Sequence, residues 1–153
     1  MIALRPAAPD DCAMVWAWAN DALVRASSFH PRFIPWEDHQ RWFRRKLDDA
    51  HCQYLIVLED AQPVGQLRFE ACGGSAVVHI SLSPHVRGRG IGGAALGLAC
   101  PLVRVGTGVG RIVAHIKPDN VASLRMFMKA GFRHVASVQV DGHLAEELVL
   151  DLS

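Results

Sequence analysis

One stretch of the sequence decides the fold: Ser83-Pro84-His85-Val86-Arg87-Gly88-Arg89-Gly90-Ile91-Gly92-Gly93. The alternating apolar run before it, from Val77 to Leu82, predicts a strand, and apolar residues at helical spacing after it predict a helix. The glycines leave backbone N–H groups uncovered at the positive end of the helix dipole, which suits a phosphate or pyrophosphate. Arg87 and Arg89 add positive charge beside that site. The helical residues are Ile91, Ala94, Ala95, Leu98 and Leu102.

Other interpretations of this glycine loop can be weighed on the residues alone. Gly88-x-Gly90-x-x-Gly93 fits the dinucleotide-binding fingerprint by letter, but that fingerprint follows the first strand of its unit and needs an acidic residue about 20 positions later. The corresponding region here, Gly110-Arg111-Ile112-Val113, has no acid. A phosphate-binding P-loop needs Gly-Lys-Ser/Thr, which the stretch lacks. A glycine-rich turn without a ligand is a further alternative, and it leaves the paired arginines without a role.

Length and composition restrict the class of protein. The chain has 153 residues, of which 50% are hydrophobic and 20% are charged, and this predicts one globular domain over residues 1–153. The formal net charge of +1 implies no broad basic face and disfavours a nucleic-acid partner. No apolar stretch is long enough to span a bilayer, so no membrane partner is predicted. Nothing at the N-terminus resembles a signal peptide, so a cytoplasmic location is expected.

The cysteines and histidines show no metal-binding spacing. The four cysteines form no Cys-x-x-Cys pair and lie in apolar surroundings, which predicts buried free thiols in a reducing compartment. The eight histidines show no His-x-x-x-His or comparable arrangement. We therefore expect no metal site.

Hydrophobic periodicity predicts the order of elements along the chain. Three consecutive strands joined by short turns form an antiparallel meander before the glycine loop, and Asp141-Gly142 is a strong hairpin turn near the end. Pro101 is expected to kink or end the helix after the loop near Ala99, and Asn120 is expected to cap the next helix. The segment 24–31 is predicted to be irregular. The predicted strands are 2–5, 53–59, 64–71, 76–82, 111–117, 132–140 and 143–152, and the predicted helices are 9–20, 36–47, one that begins at 91, and one that ends at 129.

A second motif, on the last predicted helix, gives a family resemblance. Asn120-x-x-Ser123-x-x-x-Phe127-x-Lys129-x-Gly131-Phe132 resembles the N-x-x-A/S…G-F segment of the GNAT superfamily of N-acetyltransferases. The loop Arg87-Gly88-Arg89-Gly90-Ile91-Gly92 resembles that family's Arg/Gln-x-x-Gly-x-Gly/Ala loop, and the resemblance covers essentially the whole chain. It implies an α+β (α/β) fold, in which a mixed, mostly antiparallel sheet splays between its fourth and fifth strands and is flanked by about four helices.

The resemblance implies acetyl-CoA as the acetyl donor, with its thioester between the splayed strands. The backbone of Leu82 and Ser83 would hydrogen-bond the pantetheine arm. The backbone from Arg87 through Gly93 would wrap the pyrophosphate. The far wall of the CoA tunnel would be lined by Asn120, Ser123 and Phe127.

The first half of the chain carries a narrower resemblance. The segments from Trp18 to Ser28, from Glu37 to Leu47 and from Pro63 to Phe69 look like bacterial acetyltransferases of nucleotide-linked amino sugars, in particular those of pseudaminic acid biosynthesis. Those enzymes acetylate the 4-amino group of a UDP-linked 4-amino-4,6-dideoxy sugar, which implies a small-molecule amine as the partner of a monomer or homodimer. Similar segments occur in the branch that acetylates ribosomal proteins and polyamines, and a non-catalytic CoA-binding module is a further alternative.

Acetyl transfer to an amine needs a base and donors for the tetrahedral oxyanion. An uncovered backbone N–H near Ile80 to Leu82 would serve the oxyanion. The base candidates are His115, His79 and Glu70. His115 occupies the fifth-strand position where many relatives place a carboxylate, and strand parity points His79 the same way. Each of the three is otherwise an ordinary sheet residue.

The departing CoA thiolate also needs a proton or other stabilisation. Many members of the family carry a tyrosine acid at the position where this chain has Phe127, which has no proton to give. Ser123 or water would then take that part, or the thiolate would leave unprotonated.

Substrate contacts are expected from the N-terminal helices and the loop between them, which mix aromatic faces with polar groups as sugar or uracil recognition requires. Arg25 would contact a substrate phosphate bidentately. The alternative is that aromatic residues at helical spacing belong to the core. The candidates are Trp16, Asn20, Arg25, Phe29, His39 and Trp42.

Overall fold

The computed structural model describes residues 1–152, apart from the side chain of Val105, as a seven-stranded sheet with helices on both faces. Short 3-10 turns precede the first helix at Pro9–Asp11 and the glycine loop at Pro84–Val86. The strands are β1 (Ile2–Pro6), β2 (Cys52–Glu59), β3 (Gln62–Cys72), β4 (Ser75–Leu82), β5 (Arg111–Ile116), β6 (Arg133–Val140) and β7 (His143–Asp151). The helices are α1 (Cys12–Ala19), α2 (Ala22–Ser27), α3 (Trp36–Asp48), α4 (Ile91–Thr107) and α5 (Val121–Lys129).

The sheet contains one parallel strand pair among the described residues. Its order is β1-β2-β3-β4-β5-β7-β6, and every neighbouring pair is antiparallel except β4 and β5. That pair is in register only from Ser75–Arg111 to Val77–Val113, after which the two strands part. The predicted meander, the mixed sheet and the splay between the fourth and fifth strands are thereby confirmed.

Each face of the sheet packs its own apolar cluster. On one face, α4 and α5 cover a large cluster that includes Leu67, Phe69 and Ile112, all exposed by 1% or less. On the other face, α1 and α3 cover a smaller cluster built around Val15 and Phe43. Side chains alternate between faces along a strand, so each strand of the meander serves both clusters. The strands β5 to β7 extend beyond the smaller cluster.

The helix after the glycine loop is longer than predicted. Pro101 lies inside α4, which continues to Thr107 and ends at Gly108, whose φ is 73°. A proline removes the hydrogen bond to the carbonyl four residues earlier, here that of Gly97. Gly97 and Pro101 are both exposed, so water can satisfy that carbonyl and the helix need not end.

The apolar residues whose spacing predicted α4 are not all buried. The side chains of Leu98 and Leu102 are 46% and 48% exposed. The helix instead buries a face on which small and large apolar residues are mixed. The residues it buries are Ile91, Ala95, Leu96, Ala99, Cys100 and Val103.

Two further expectations need correction. Part of the segment predicted to be irregular forms α2, because the carboxylate of Asp21 accepts hydrogen bonds from the N–H groups of Leu23 (3.1 Å) and Val24 (3.3 Å). Of the four cysteines, which are free thiols, only Cys100 is buried, and Cys72 is exposed. The predicted turn at Asp141-Gly142 and the cap at Asn120 are confirmed.

Candidate active site

The glycine loop predicted as an anion site keeps its amides free. Gly88 and Gly90 both have a φ of 77°, in the left-handed region that glycine adopts without strain. The first bond of α4 runs from the Ala94 N–H to the Gly90 carbonyl at 3.2 Å. Within residues 1–152, no backbone N–H between positions 87 and 93 donates a hydrogen bond. A run of free donors therefore lies at the positive end of the α4 dipole.

The two arginines of this loop are held by carboxylates. Arg87 Nη2 lies 2.7 Å from Asp21 Oδ2 and also donates to the Leu82 carbonyl at 3.2 Å. Arg89 forms a bidentate pair with Glu59, at 2.9 and 2.7 Å. Both pairs are at least partly exposed to solvent, where such a pair contributes little to stability. An anion bound to the loop would therefore compete with Asp21 and Glu59 for these two cations.

The parted ends of β4 and β5 expose main-chain groups of β4. The Ser83 N–H donates to the Val64 carbonyl at 2.8 Å, and the Ser83 carbonyl accepts from the Val86 N–H at 3.2 Å. Antiparallel pairing alternates, so Ile80 and Leu82 direct their N–H and carbonyl groups away from β3, into the gap. The geometry leaves the Leu82 N–H free for its predicted role, whereas the Leu82 carbonyl accepts from Arg87 and the Ser83 backbone is already engaged.

The predicted far wall is only partly available to a ligand. Phe127 is a core residue, 4% exposed, with its ring edge-on to Phe132 at 5.0 Å, so little of the ring is available to a ligand. The Asn120 side chain accepts from the Ser123 N–H at 3.3 Å and so caps α5. The Ser123 hydroxyl is half-buried and forms no hydrogen bond with the described residues.

Helices α4 and α5 approach each other closely at the base of the gap. A Cβ atom on Gly92 would lie 2.3 Å from Met126 Sδ and 3.5 and 3.6 Å from the side chains of Leu82 and Ile80. No real Cβ tolerates the first distance, so any side chain at position 92 requires Met126 to move. Gly93, the next residue, has open space around it.

Two histidines lie on the opposite face of the sheet, just beyond the last paired residues of β4 and β5. His79 and His115 each follow that last pair, Val77–Val113, by two positions, so both side chains point to the same face. His115 Nε2 lies 2.9 Å from Glu147 Oε2 on β7, its direct partner in the antiparallel register. The structure thus places these two base candidates on the same face, on the two strands that part.

The third candidate, Glu70, belongs to a charge cluster beside His79. Its Oε1 lies 2.6 Å from Lys46 Nζ and 3.0 Å from Arg68 Nε, and its Oε2 lies 3.9 Å from His79 Nε2. Burial alone would raise the pKa of Glu70, but Lys46 and Arg68 outweigh it and hold that pKa below its usual value. A carboxylate held by two cations is a poor base.

His79 is held in its neutral form by its surroundings. Its side chain is 47% exposed. Loss of water around the buried part of the ring is the main effect that lowers the pKa of His79. The positive charge of Arg68 lowers the pKa further, against the opposing effect of Glu70. His79 is therefore a weak proton acceptor at neutral pH, and His115, with a carboxylate behind it, is the better candidate.

Sequence reasoning missed Glu147. It lies on a strand whose acidic residues at positions 146 and 147 give no indication of which one faces the cleft. Only the register of β5 with β7 shows that Glu147 shares a face with His115 and that Glu146 points the opposite way, toward His134 and Ser137. Strand parity gives the two faces but not the pairing between strands that are distant in sequence.

Three of the six predicted substrate contacts are used by the fold. The Asn20 side chain exchanges two hydrogen bonds with the Ile34 backbone, at 2.8 and 3.1 Å. Arg25 donates to the carbonyls of residues 19, 30 and 32, so it is not free for a phosphate. His39 is 1% exposed, contacts the Cys12 carbonyl at 3.1 Å and stacks on Phe43.

The other three predicted contacts keep some accessible surface. Trp16 donates to the Ile34 carbonyl at 2.8 Å and packs edge-on to Trp36. The Trp42 ring lies beneath the Arg68 guanidinium, 4.8 Å from its carbon. Phe29 lies in the loop after α2, where its ring centre is 6.3 Å from that of His143 on β7. Trp42 and Phe29 therefore border the face that carries His79 and His115.

Some other kinds of site find no support in the part of the chain that is described. No three metal-type side chains there come together as a group that could hold an ion. No helix there combines the length and apolarity needed to cross a membrane. Two open surface grooves, of about 620 and 570 Å³, lie away from the glycine loop and the paired histidines.

Comparison with known proteins identifies the family. Residues 2–133 match the family model described as the acetyltransferase (GNAT) domain. No curated protein gives a significant match.

Solved structures share the fold at low identity. The aminoglycoside acetyltransferase AAC(6')-Ib in complex with coenzyme A and kanamycin is 19% identical, with a TM-score of 0.87 over 99% of this chain and 95% of that one. The spermidine N-acetyltransferase of Vibrio cholerae with CoA and spermine is 13% identical, with a TM-score of 0.85 over 98% and 95%. The Salmonella typhimurium protein yncA with acetyl-CoA is 22% identical, with a TM-score of 0.81 over 100% and 95%.

Proposed function

The chain belongs to the acetyltransferase (GNAT) domain family and is an N-acetyltransferase that uses acetyl-CoA, and we propose that its acceptor is the primary amine of a nucleotide-linked amino sugar. The observation that carries the proposal is the opening between β4 and β5, with free loop amides on one side and a histidine–carboxylate pair on the other. A donor held by the amides and an amine held near the pair would meet in that opening.

The loop amides fit the diphosphate of the donor. Free N–H groups at a helix N-terminus are the main-chain arrangement that binds phosphate groups, and positive φ values at Gly88 and Gly90 keep them turned outward. The outward main-chain groups of Leu82 and Ile80 suit the amide groups of the pantetheine arm and the oxyanion. Bound acetyl-CoA supplies a thioester whose C–S bond breaks as the new C–N bond forms, the electron pair leaving with sulfur.

In this proposal His115 is the general base. Its imidazole takes a proton from the amine, so that the amine nitrogen has a lone pair for the attack. Glu147, at 2.9 Å, stabilises the imidazolium that forms. The Ser123 hydroxyl, free of protein partners among the described residues, or solvent supplies a proton to the leaving sulfur, because Phe127 has none.

The charges near the site support an acceptor with one amine over a polyamine. A polyamine carries several positive charges and binds best to carboxylates that are not neutralised. Glu70 is paired with Lys46 and Arg68, and Asp21 is paired with Arg87. Two cations on one carboxylate leave a local positive excess, which suits the phosphates of a sugar nucleotide. Trp42, beside that excess, offers a ring for stacking.

The test is thiol release from acetyl-CoA with a panel of amines. The panel contains a UDP-linked 4-amino-4,6-dideoxy sugar, kanamycin, spermidine and a peptide with a free N-terminus. We expect kcat/KM for the UDP sugar to exceed the others by at least about 100-fold, the value of two or more charged contacts. A higher value for spermidine or kanamycin would overturn the substrate class, and binding of acetyl-CoA without turnover on any amine would support a CoA-binding module.

The role of His115 is tested in the same assay. His115→Ala should lower kcat by about 100-fold or more, as expected for loss of a general base, and leave acetyl-CoA affinity unchanged. The matched control is His134→Ala, since His134 also pairs with a glutamate on β7 but lies on the opposite face. Equal effects of the two variants would contradict the assignment.

A further inference from the structure

We infer that Glu147 is a positioning residue that fixes the tautomer of His115, so that Nδ1 is the atom that accepts the proton of the amine. The inference rests on the proposed function for the identity of the reaction, but its geometric part stands on the pair itself. The pair consists of His115 Nε2 and Glu147 Oε2, 2.9 Å apart.

The backbone holds this pair in place. His115 and Glu147 are direct partners in the antiparallel ladder of β5 and β7, and this ladder continues for one pair on one side and four pairs on the other. Neighbouring strands fix the spacing of directly opposed side chains to about 5 Å at Cβ. The two side chains are 23% and 30% exposed, so both are largely packed yet reachable from the cleft.

The carboxylate decides which ring nitrogen carries the proton. An ionised carboxylate only accepts hydrogen bonds, so a neutral imidazole facing it at Nε2 must carry its hydrogen there. Nδ1 then has the lone pair, and no described residue donates a hydrogen bond to it. The free lone pair belongs to the ring atom that Glu147 does not hold.

The acceptor nitrogen loses two protons. The first leaves the ammonium before the attack, and the electrons of that N–H bond remain on nitrogen as the attacking lone pair. The second leaves the nitrogen for solvent after the C–N bond has formed, and it balances the proton that the departing sulfur takes up. The first proton binds Nδ1, which turns the imidazole into an imidazolium, and Glu147 faces the positive charge so formed. After the transfer the proton leaves Nδ1 for solvent, and the ring returns to the tautomer set by Glu147.

Other charged groups surround the pair and bear on its pH dependence. His79 on β4 faces it across the gap and is held neutral by its surroundings. The cluster around Glu70 lies beyond His79, and the loop after α2 brings its own histidine to the tip of the last hairpin. The charged and titratable groups on this face are Glu147, His143, Lys117, His79, Arg68, Glu70, Lys46, His30 and Asp141.

The neighbouring position on β7 provides a matched control. Glu146 also pairs with a histidine, His134, and accepts from the Ser137 hydroxyl at 3.1 and 3.0 Å. That pair lies on the opposite face of the strand and is outside the cleft. A change at Glu146 therefore alters charge, strand content and stability much as a change at Glu147 does, without touching His115.

The first experiment measures the tautomer without any ligand. Nitrogen-15 spectra of histidine-labelled protein at pH 8, with His115 assigned from the His115→Ala spectrum, should show Nε2 protonated and Nδ1 unprotonated. Glu147→Ala should convert this signal to a mixture of tautomers, and Glu146→Ala should leave it unchanged. A wild-type ring protonated at Nδ1, or one that ignores Glu147→Ala, would overturn the inference whether or not the protein transfers acetyl groups.

The second experiment measures turnover. Glu147→Gln keeps an acceptor for Nε2 but removes the charge that faces the imidazolium, so kcat should fall about 10-fold. The KM for acetyl-CoA and the far-ultraviolet circular dichroism should stay as in the wild type, and Glu146→Gln should match the wild type throughout. A wild-type kcat in Glu147→Gln, or an equal fall in Glu146→Gln, contradicts the role of Glu147, whereas absence of thiol release by the wild type with every amine contradicts the proposed function.

Discussion

The glycine loop at residues 87–93 and the helical segment at residues 12–48 were both expected to bind ligands, and the fold uses their polar groups in opposite ways. In the loop, the described backbone N–H groups have no partner within the protein. In the helical segment, Asn20, Arg25 and His39 spend their polar atoms on backbone carbonyls and amides of the same segment. The loop therefore exposes main-chain donors to a ligand, whereas the helical segment uses these polar side chains for hydrogen bonds within the fold.

This difference follows from where hydrogen-bonding capacity comes from. A helix N-terminus leaves its first N–H groups free whatever the side chains are, so glycine spacing alone predicts an available site. A polar side chain is available only if nothing nearby needs it, and an irregular loop such as residues 28–35 has backbone groups that must be satisfied. The loop between α2 and α3 is held by Asn20 and Arg25 for that reason.

The largest expected effect separates the two regions by stability. His39→Ala removes a ring that is 1% exposed and stacked on Phe43, and should lower the free energy of unfolding by about 3 kcal/mol in urea denaturation. Acetyl-CoA affinity of the folded variant should be unchanged. His51→Ala, at an exposed position, should cost under about 0.5 kcal/mol and serves as the control. If His39→Ala left the free energy of unfolding nearly unchanged, His39 would again be a candidate substrate contact.

The same variant has a pH signature. Burial lowers the pKa of His39 in the folded state, against a smaller opposing effect of the Cys12 carbonyl. Below about pH 6.5 the unfolded chain therefore binds a proton at His39 that the folded chain does not bind. The stabilisation that His39 contributes to folding is complete above about pH 6.5 and is lost as the pH falls toward the folded pKa. The stability difference between wild type and His39→Ala should therefore shrink below pH 6.5, by up to about 1.4 kcal/mol per pH unit.

A smaller effect is expected at the start of α4. Gly92→Ala places a Cβ atom against Met126 and should cost about 1–3 kcal/mol of stability, because the core there must move. Gly93→Ala, in open space one residue later, should be neutral or stabilising by up to about 1 kcal/mol. Thermal melts of the two variants side by side decide the matter. Equal melting temperatures would mean that Met126 adjusts freely and that packing does not require Gly92.

The smallest effect concerns the loop cations. Arg89→Ala should change stability by less than about 1 kcal/mol, since its pair with Glu59 is exposed, and should weaken acetyl-CoA binding about fivefold. Glu59→Gln removes the competing carboxylate and should leave that affinity equal or slightly higher. Isothermal titration calorimetry measures both. If Arg89→Ala and Glu59→Gln weaken acetyl-CoA binding equally, the ion pair holds the loop in place and Arg89 does not itself bind the ligand.

Much of the fold could be predicted from periodicity and turn residues, because local patterns determine them. The order of strands and helices, the Asn120 cap and the Asp141-Gly142 turn depend on neighbours within a few positions. The predicted length of α4 was wrong. Pro101 leaves the Gly97 carbonyl without a helical partner, and the sequence does not show that water can reach that carbonyl. The buried face of α4 could not be predicted, because Leu96 and Leu98 are equally apolar and only packing in the folded protein selects Leu96 for the core.

The candidate site also has parts that local motifs predict and parts that depend on contacts distant in sequence. The family and the donor could be inferred from two motifs, and the family match over residues 2–133 confirms the first. His115 was among several base candidates, and only the register between β5 and β7, set by contacts far apart in sequence, brings Glu147 to it. Phe127, predicted to face a ligand, is taken by the core because its ring packs on Phe132.

The lone parallel pair has a consequence for how such a cleft can arise. Two parallel strands cannot be joined by a tight turn, so the chain must travel back along the sheet before β5 starts, and α4 is that return path. The return path begins at the C-terminal end of β4, which is also the end where the two strands part. The positive N-terminus of α4 therefore lies at the opening in the sheet, while the acceptor side is formed by the opposite face, where substitutions need not disturb either feature.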